Sequence, residues 1–206
     1  KPTSDAPVKL WMNDFDGNES LDKILTRTVN GKDVPVFLKA EMQEQIPLLK
    51  KENLNYEVYA KKSFQELFKP EAIEKAVVKT YNICSSIIAW NKGNGQFEIQ
   101  ELPIEVQFSS LNAILPYDVN GDQQLDLIMG GNLFGFMPQF GRLDANYGLV
   151  LINQGAKNFS VVEDKASGLS ITGQVKDILS LPGKSGQQIL FIRNDDYPVL
   201  LKANKN

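Results

Sequence analysis

Asp14-Phe15-Asp16-Gly17-Asn18-Glu19-Ser20-Leu21-Asp22, running into Lys23-Ile24-Leu25, recurs later in the chain as Asp118-Val119-Asn120-Gly121-Asp122-Gln123-Gln124-Leu125-Asp126, running into Leu127-Ile128-Met129. In the first copy, positions 1, 3, 5 and 9 are Asp14, Asp16, Asn18 and Asp22; in the second they are Asp118, Asn120, Asp122 and Asp126. Each of these side chains ends in oxygen. Position 7, Ser20 or Gln124, can add a backbone carbonyl. Hard oxygens on alternate residues of a tight turn suit Ca²⁺, which takes six to eight of them, better than Mg²⁺, which keeps much of its own water. An EF-hand loop would close on a bidentate Glu at position 12 and lead into a helix. Here position 12 is Leu25 or Met129, inside an apolar, strand-like run. The ninth-position Asp must therefore close the site, and the loop must join two strands. The plain alternative is an Asp/Asn/Gly hairpin without metal, and repetition at matching places favours the metal. Gly stands at position 4 of both copies, but Glu19 and Gln123 hold position 6, where Gly would ease the turn. Reduced affinity is expected.

A second motif repeats in the same order. Ala89-Trp90-Asn91-Lys92-Gly93-Asn94-Gly95-Gln96-Phe97 is matched by Leu151-Ile152-Asn153-Gln154-Gly155-Ala156-Lys157-Asn158-Phe159. From the closing Asp to the hairpin Asn is 27 positions in the second copy and 69 in the first. The excess falls where glycine is absent from Lys32 to Lys92 and aspartate from Val34 to Tyr117. Gly and Asp favour turns, whereas Glu and Lys favour helices, so this segment reads as helical. Ser63 with Glu66 forms a capping-box pattern, and Pro70 suits the first turn of a helix over Glu71 to Val77. The helices are expected between the second and third strands of one repeat.

The flanks carry short strand-like runs divided by Gly, Asn and Asp: Val8–Trp11, Lys23–Val29, Ile83–Trp90, Phe97–Leu102, Leu111–Leu115, Leu125–Met129, Tyr147–Ile152, Phe159–Val162, Val175–Leu181, Gln188–Ile192 and Pro198–Lys202. Repeated groups of four such strands predict a mainly β fold, a partial β-propeller of four-stranded antiparallel blades with a small α-helical insertion. Blade 1 is expected over 1–103, with the insertion at about 39–80. Blade 2 is expected over 104–165 and a partial blade 3 over 170–206, whose loop Pro182-Gly183-Lys184-Ser185-Gly186 has lost its carboxylates. Closed propellers usually need four to eight blades. Further blades of a longer chain, or a second copy, are therefore expected partners.

The two acidic loops resemble the FG-GAP/VCBS repeat, the Ca²⁺-loop blade of integrin-α-like propellers. Gln45-Ile-Pro-Leu-Leu-Lys-Lys51, Asn91-Lys-Gly-Asn-Gly-Gln-Phe97, Glu101-Leu-Pro-Ile-Glu-Val-Gln-Phe-Ser109 and Gly141-Arg-Leu-Asp-Ala145 extend the similarity to VCBS-repeat proteins of Bacteroidetes-type bacteria, often joined to an ASPIC/UnbV module. The resemblance covers nearly the whole chain. It implies a calcium-stabilised propeller and an extracellular, bacterial cell-surface or periplasmic location. It brings no settled biochemical activity.

Composition narrows the chemistry. The 206 residues contain no His, which excludes imidazole-based acid/base catalysis, Ser-His-Asp and Cys-His arrangements and imidazole metal sites. The single Cys84, beside Ile83, Ile87 and Ile88, reads as a small core residue and excludes an internal disulfide. A net charge of −3 argues against nucleic acid. No apolar run reaches the roughly 18 residues of a membrane span. Trp11 and Trp90 read as inter-blade core, and Lys50-Lys51 and Lys61-Lys62 as a solvated helix face. Arg142 and Asp144 are candidates for ligand recognition, with a local ion pair as the simpler reading. Phe134, Phe136, Met137 and Phe140 offer either a rim surface or packing. The expected function is a calcium-binding, non-catalytic module for protein or glycan binding or adhesion. The alternative is part of a carbohydrate-active enzyme, a lyase or glycosidase, whose carboxylate pair would have to come from outside the metal loops. A purely structural repeat that presents another domain is a third option.

Overall fold

A computed structural model describes residues 2–52, 54–136, 141–184 and 186–202. Strands hold 42% of the chain and helices 17%, so the fold is mainly β. The chain divides into two compact units, Lys1–Cys84 and Ser85–Asn206.

In the first unit, β1 (Val8–Asn13) runs into the first acidic loop and pairs antiparallel with β2 (Asp22–Val29), from Asn13 opposite Asp22 to Val8 opposite Arg27. At Asn30-Gly31 both residues take positive φ, +50° and +75°. That is the backbone twist of a tight two-residue hairpin, and it returns the chain as β3 (Lys32–Pro35). Five short helices follow: α1 (Lys39–Gln45), α2 (Leu48–Glu52), α3 (Tyr56–Lys61), α4 (Phe64–Leu67) and α5 (Pro70–Glu74). Helices this short are marginal alone and depend on tertiary packing. Met42, Ile46, Leu49, Phe64, Leu67 and Phe68 form one buried cluster with Trp11, Phe15 and Ile24 of the sheet and loop. The Trp11 ring stacks on Phe64 at 4.5 Å, and its indole N–H donates to Thr26 Oγ1 at 2.9 Å. Trp11 thus joins sheet to helices. The expected cap at Ser63 is present, with the Ser63 N–H donating to the Glu66 carboxylate at 2.7 Å.

Two expectations change here. The last helix stops at Glu74, and Val77–Tyr81 is instead strand β4, paired along β1. Its β-branched Val77, Val78 and Thr80 and its Tyr81 fit a pleated surface better than a helix. The sheet order is β3-β2-β1-β4. Its outer members are β3 and β4, where the repeat had placed the hairpin around Asn91. Cys84 is exposed, not core. It lies in the connection before the next strand, beside an Ile83 that is itself 45% exposed.

The second unit opens with that hairpin, β5 (Ile87–Gly93) and β6 (Gln96–Glu101), as a two-stranded sheet of its own. A four-stranded antiparallel meander follows: β7 (Leu111–Tyr117), β8 (Asp126–Gly131), β9 (Leu149–Asn153) and β10 (Phe159–Val161), in the order β10-β9-β8-β7. The short helix α6 (Asp164–Ser167) leads to a third sheet, β11 (Gln174–Gly183), β12 (Gly186–Asn194) and β13 (Val199–Lys202). The meander is apolar on both faces, because side chains alternate along each strand. Ala113, Ile128 and Val150 pack against Val175, Ile178, Ile189 and Phe191 of the third sheet. Met129 and Leu151 point the other way, into a cluster with Leu102 and Val106. Burial on both faces explains why Leu127-Ile128-Met129 and Leu149-Val150-Leu151-Ile152 read as unbroken apolar runs. Gly130 lets the sheets approach, since a Cβ there would stand 2.8 Å from a Val175 methyl. Among the described residues the sheets remain open, with no closed barrel or ring of blades.

Candidate metal centre

Both acidic loops sit where the sequence places them, between antiparallel strands: β1 and β2 in the first unit, β7 and β8 in the second. They share one hydrogen-bond scheme. The position-1 carboxylate accepts three backbone N–H groups in each. Asp14 takes those of Gly17 (2.8 Å), Asn18 (3.1 Å) and Glu19 (2.9 Å). Asp118 takes those of Gly121 (2.7 Å), Asp122 (3.1 Å) and Gln123 (3.0 Å). The position-9 carboxylate accepts the N–H of position 2 at 2.9 Å in both loops, Asp22 from Phe15 and Asp126 from Val119. The position-5 side chain accepts the N–H of position 7 at 2.8 Å, Asn18 from Ser20 and Asp122 from Gln124. Backbone angles agree too. Position 4 has φ +77° (Gly17) and +81° (Gly121), and position 6 has φ +66° (Glu19) and +68° (Gln123). The left-handed turn at position 6 is where a side chain is costly, the departure noted in the sequence.

Electrostatics differ along each loop. The Glu19 N–H, followed by those of Gly17 and Asn18, holds the Asp14 carboxyl below the usual carboxylate range. Asp22 is buried, and burial pushes its carboxyl up, with further push from Asp16 and Asp14 against the pull of Phe15 N–H and Gln45. Three carboxylates thus converge with one carrying an unfavourable buried charge, an arrangement a cation relieves.

The donor set fits a hard divalent ion. Oxygens of Asp14, Asp16 and Asp22 all lie within 4.8 Å of one another. Two ligands on opposite sides of a Ca²⁺ would be about 4.6–5.2 Å apart. Asp16 Oδ1 is buried with no hydrogen-bond partner, a cost that coordination would remove. Among the described residues this is the one such three-carboxylate group. In the second loop Asp122 is instead engaged by the Asn120 side-chain amide at 3.0 Å, a contact that metal entry must break. Asn18, Asn120, Ser20 and Gln124 supply the remaining amide and carbonyl oxygens of the two nine-residue patterns.

Two supporting groups escape a reading of the loops alone. The Gln45 side-chain amide donates to Asp22 Oδ1 at 3.3 Å from helix α1, and the Asn153 backbone N–H donates to Asp126 Oδ1 at 2.8 Å from β9. Asn153 is the hairpin Asn of the second sequence repeat, so its recurrence was the available signal. Gln45 opens the Gln45–Lys51 segment quoted for the resemblance, but no spacing in the sequence ties it to Asp22. Arg142 and Asp144 pair with each other, Nη2 to Oδ2 at 3.1 Å, and the guanidinium lies 4.2 Å from the centre of the Phe134 ring. They stand apart from the metal loops in the connection between β8 and β9. Met137 and Phe140 lie outside the described residues. No protein-family model, curated protein or solved structure matches the chain.

Proposed function

We propose that this is a calcium-binding module of propeller type, built from VCBS-like repeats, that binds protein or glycan outside the cell or at a bacterial surface and does no catalysis. The observation that carries the reading is the shared loop scheme. Two segments far apart in sequence repeat the same hydrogen bonds and the same two positive-φ positions, and both place position-1, 3, 5 and 9 oxygen side chains at a strand–strand junction. Blade character is supported by the four-stranded meander and by the third sheet packed on its face. Calcium would rigidify the turn that each loop makes. The non-Gly residue at position 6 points to modest affinity, which suits the roughly 10⁻⁴–10⁻³ M range of extracellular calcium modules.

Thermal unfolding in EDTA and in excess calcium tests the metal. A ligand that binds only the folded loop raises the unfolding free energy by about 2.7 kcal/mol at a hundredfold excess over Kd. Superimposable melting curves would defeat the reading. A glycan array probed in calcium and in EDTA tests the binding role, and calcium-dependent spots are expected.

A further inference from the structure

We infer that Gln45 is a positioning residue for calcium in the first acidic loop, and that through it helix α1 tightens when the metal binds; this rests on the calcium reading above. The closing carboxylates, Asp22 and Asp126, are both buried. Each accepts one hydrogen bond from within its own loop, from the position-2 N–H. The second donor comes from outside the loop, and here the two loops part. Asp126 Oδ1 takes the backbone N–H of Asn153, a residue of β9 that pairs with Phe159 of β10. Asp22 Oδ1 takes the side-chain amide of Gln45 at 3.3 Å, from the last residue of the seven-residue helix α1.

A donor on a metal-bound carboxylate fixes its orientation, and losing such a partner costs about 10–100-fold in metal affinity. In the second loop the sheet itself supplies that donor. In the first loop it is present only while α1 is in place. Met42 and Ile46, beside Gln45, anchor α1 in one buried cluster with Phe15, position 2 of the same loop. Asn13, just before the loop, donates its side-chain amide to the Ala72 carbonyl of α5 at 2.7 Å. Val119, at the place of Phe15 in the second loop, is exposed. So the helices are built onto the first loop. A helix as short as α1 depends on its packing and can open locally without global unfolding. When it opens, Asp22 keeps, among the described residues, only the Phe15 N–H, and calcium is held less tightly. Coupling between two events is reciprocal, so calcium disfavours the opening of α1 by the same factor.

The experiment is hydrogen exchange, read by mass spectrometry across a calcium titration of the full chain. Peptides spanning the two loops give the calcium midpoint of each, and the peptide of α1 gives the response of the helix. The variants are Gln45→Ala and Gln45→Met, at an exposed position; both remove the donor, and Met keeps the length of the side chain. In the unaltered chain, saturating calcium is expected to slow exchange in α1 roughly tenfold or more. In each variant the first-loop midpoint is expected to rise roughly tenfold, and the slowing of α1 is expected to vanish. The second-loop midpoint should stay where it was, which a general loss of stability in the first unit would not explain. Slowing in the first loop without slowing in α1 would overturn this proposal alone. So would an unmoved first-loop midpoint in both variants, or a slowing of α1 that survives in them once the loop is saturated. Unchanged exchange in both loops at saturating calcium would overturn the calcium reading and this proposal together.

Discussion

Replacing the closing carboxylate by its amide separates the two loops. In Asp126→Asn the side chain is fully buried, and both its oxygens accept backbone N–H groups, from Val119 at 2.9 Å and Asn153 at 2.8 Å. An amide has one acceptor, so whichever way it turns, its NH₂ faces a backbone donor. An orphaned buried donor costs about 1–3 kcal/mol, and here the amide and one backbone N–H are both stranded, so about 2–4 kcal/mol is expected. In Asp22→Asn one oxygen accepts from Phe15 N–H, but the other accepts from the Gln45 amide. Gln45 can turn over and offer its own oxygen, so both pairs survive. Burial and the neighbouring Asp16 and Asp14 already push the Asp22 carboxyl up, so neutralising it removes a repulsion. A change within about 1 kcal/mol is expected. The assay is urea unfolding in EDTA at constant m-value. Trp11 reports the first unit and Trp90 the second, each isolated in a background where the other is Phe. If Asp22→Asn proves as damaging as Asp126→Asn without metal, the hydrogen-bond reasoning is refuted. Both variants are expected to lose their own unit's gain on adding calcium.

Glu19→Gly and Gln123→Gly relieve left-handed backbone at φ +66° and +68°, and each should raise the urea midpoint by the equivalent of about 1 kcal/mol; an unchanged or lower midpoint contradicts this. Asn132→Leu should cost about 3 kcal/mol or more, visible as lost amide-exchange protection around β8. The Asn132 oxygen accepts from Ser109 Oγ and Asn146 N–H, and its amide donates to the Asn146 and Gly173 carbonyls. Glu98 is held down to about 2 by Lys157 and then Lys92, each 2.6 Å away. Its stabilising contribution is therefore complete above the usual carboxylate value of 4.5 and lost as pH falls towards about 2; a carboxyl titration midpoint near 4.5 by NMR would refute it. Asp22 runs the other way. In EDTA its raised carboxyl makes the first unit lose stability as pH rises from the ordinary Asp range through the folded value, and Asp22→Asn should flatten that limb.

The loops were legible because their geometry is dictated by residue type at fixed spacing. Carboxylates at positions 1 and 9 satisfy backbone N–H groups within the same nine residues, so little depends on the rest of the chain. The strands of the meander were legible for a similar reason, since burial on both faces leaves an apolar run. Strand β3 was not, because Lys32-Asp33-Val34-Pro35 has poor strand composition. Its presence follows from the Asn30-Gly31 turn, a signal that lies in the loop before it. Strand β4 was masked by the helical character of the residues before it, and its pairing partner, β1, lies more than sixty positions earlier. The repeat could indicate that the hairpin around Asn91 recurs. It could not show that β3 and β4, and not this hairpin, border the first sheet, because edge pairing is decided between segments distant in sequence. The same distance hid Gln45 and the Asn132 network, whose roles exist only once α1, β8 and the chain after Asn146 come together.

Crystals grown in excess calcium chloride, examined by anomalous scattering, test the central claim most directly. Expected are peaks in both loops, each ringed by six or more oxygens at about 2.3–2.6 Å that include Asp14, Asp16 and Asp22 in the first and Asp118, Asp122 and Asp126 in the second. Loops at full calcium holding only water, with Asp16 Oδ1 still unpartnered, would contradict it.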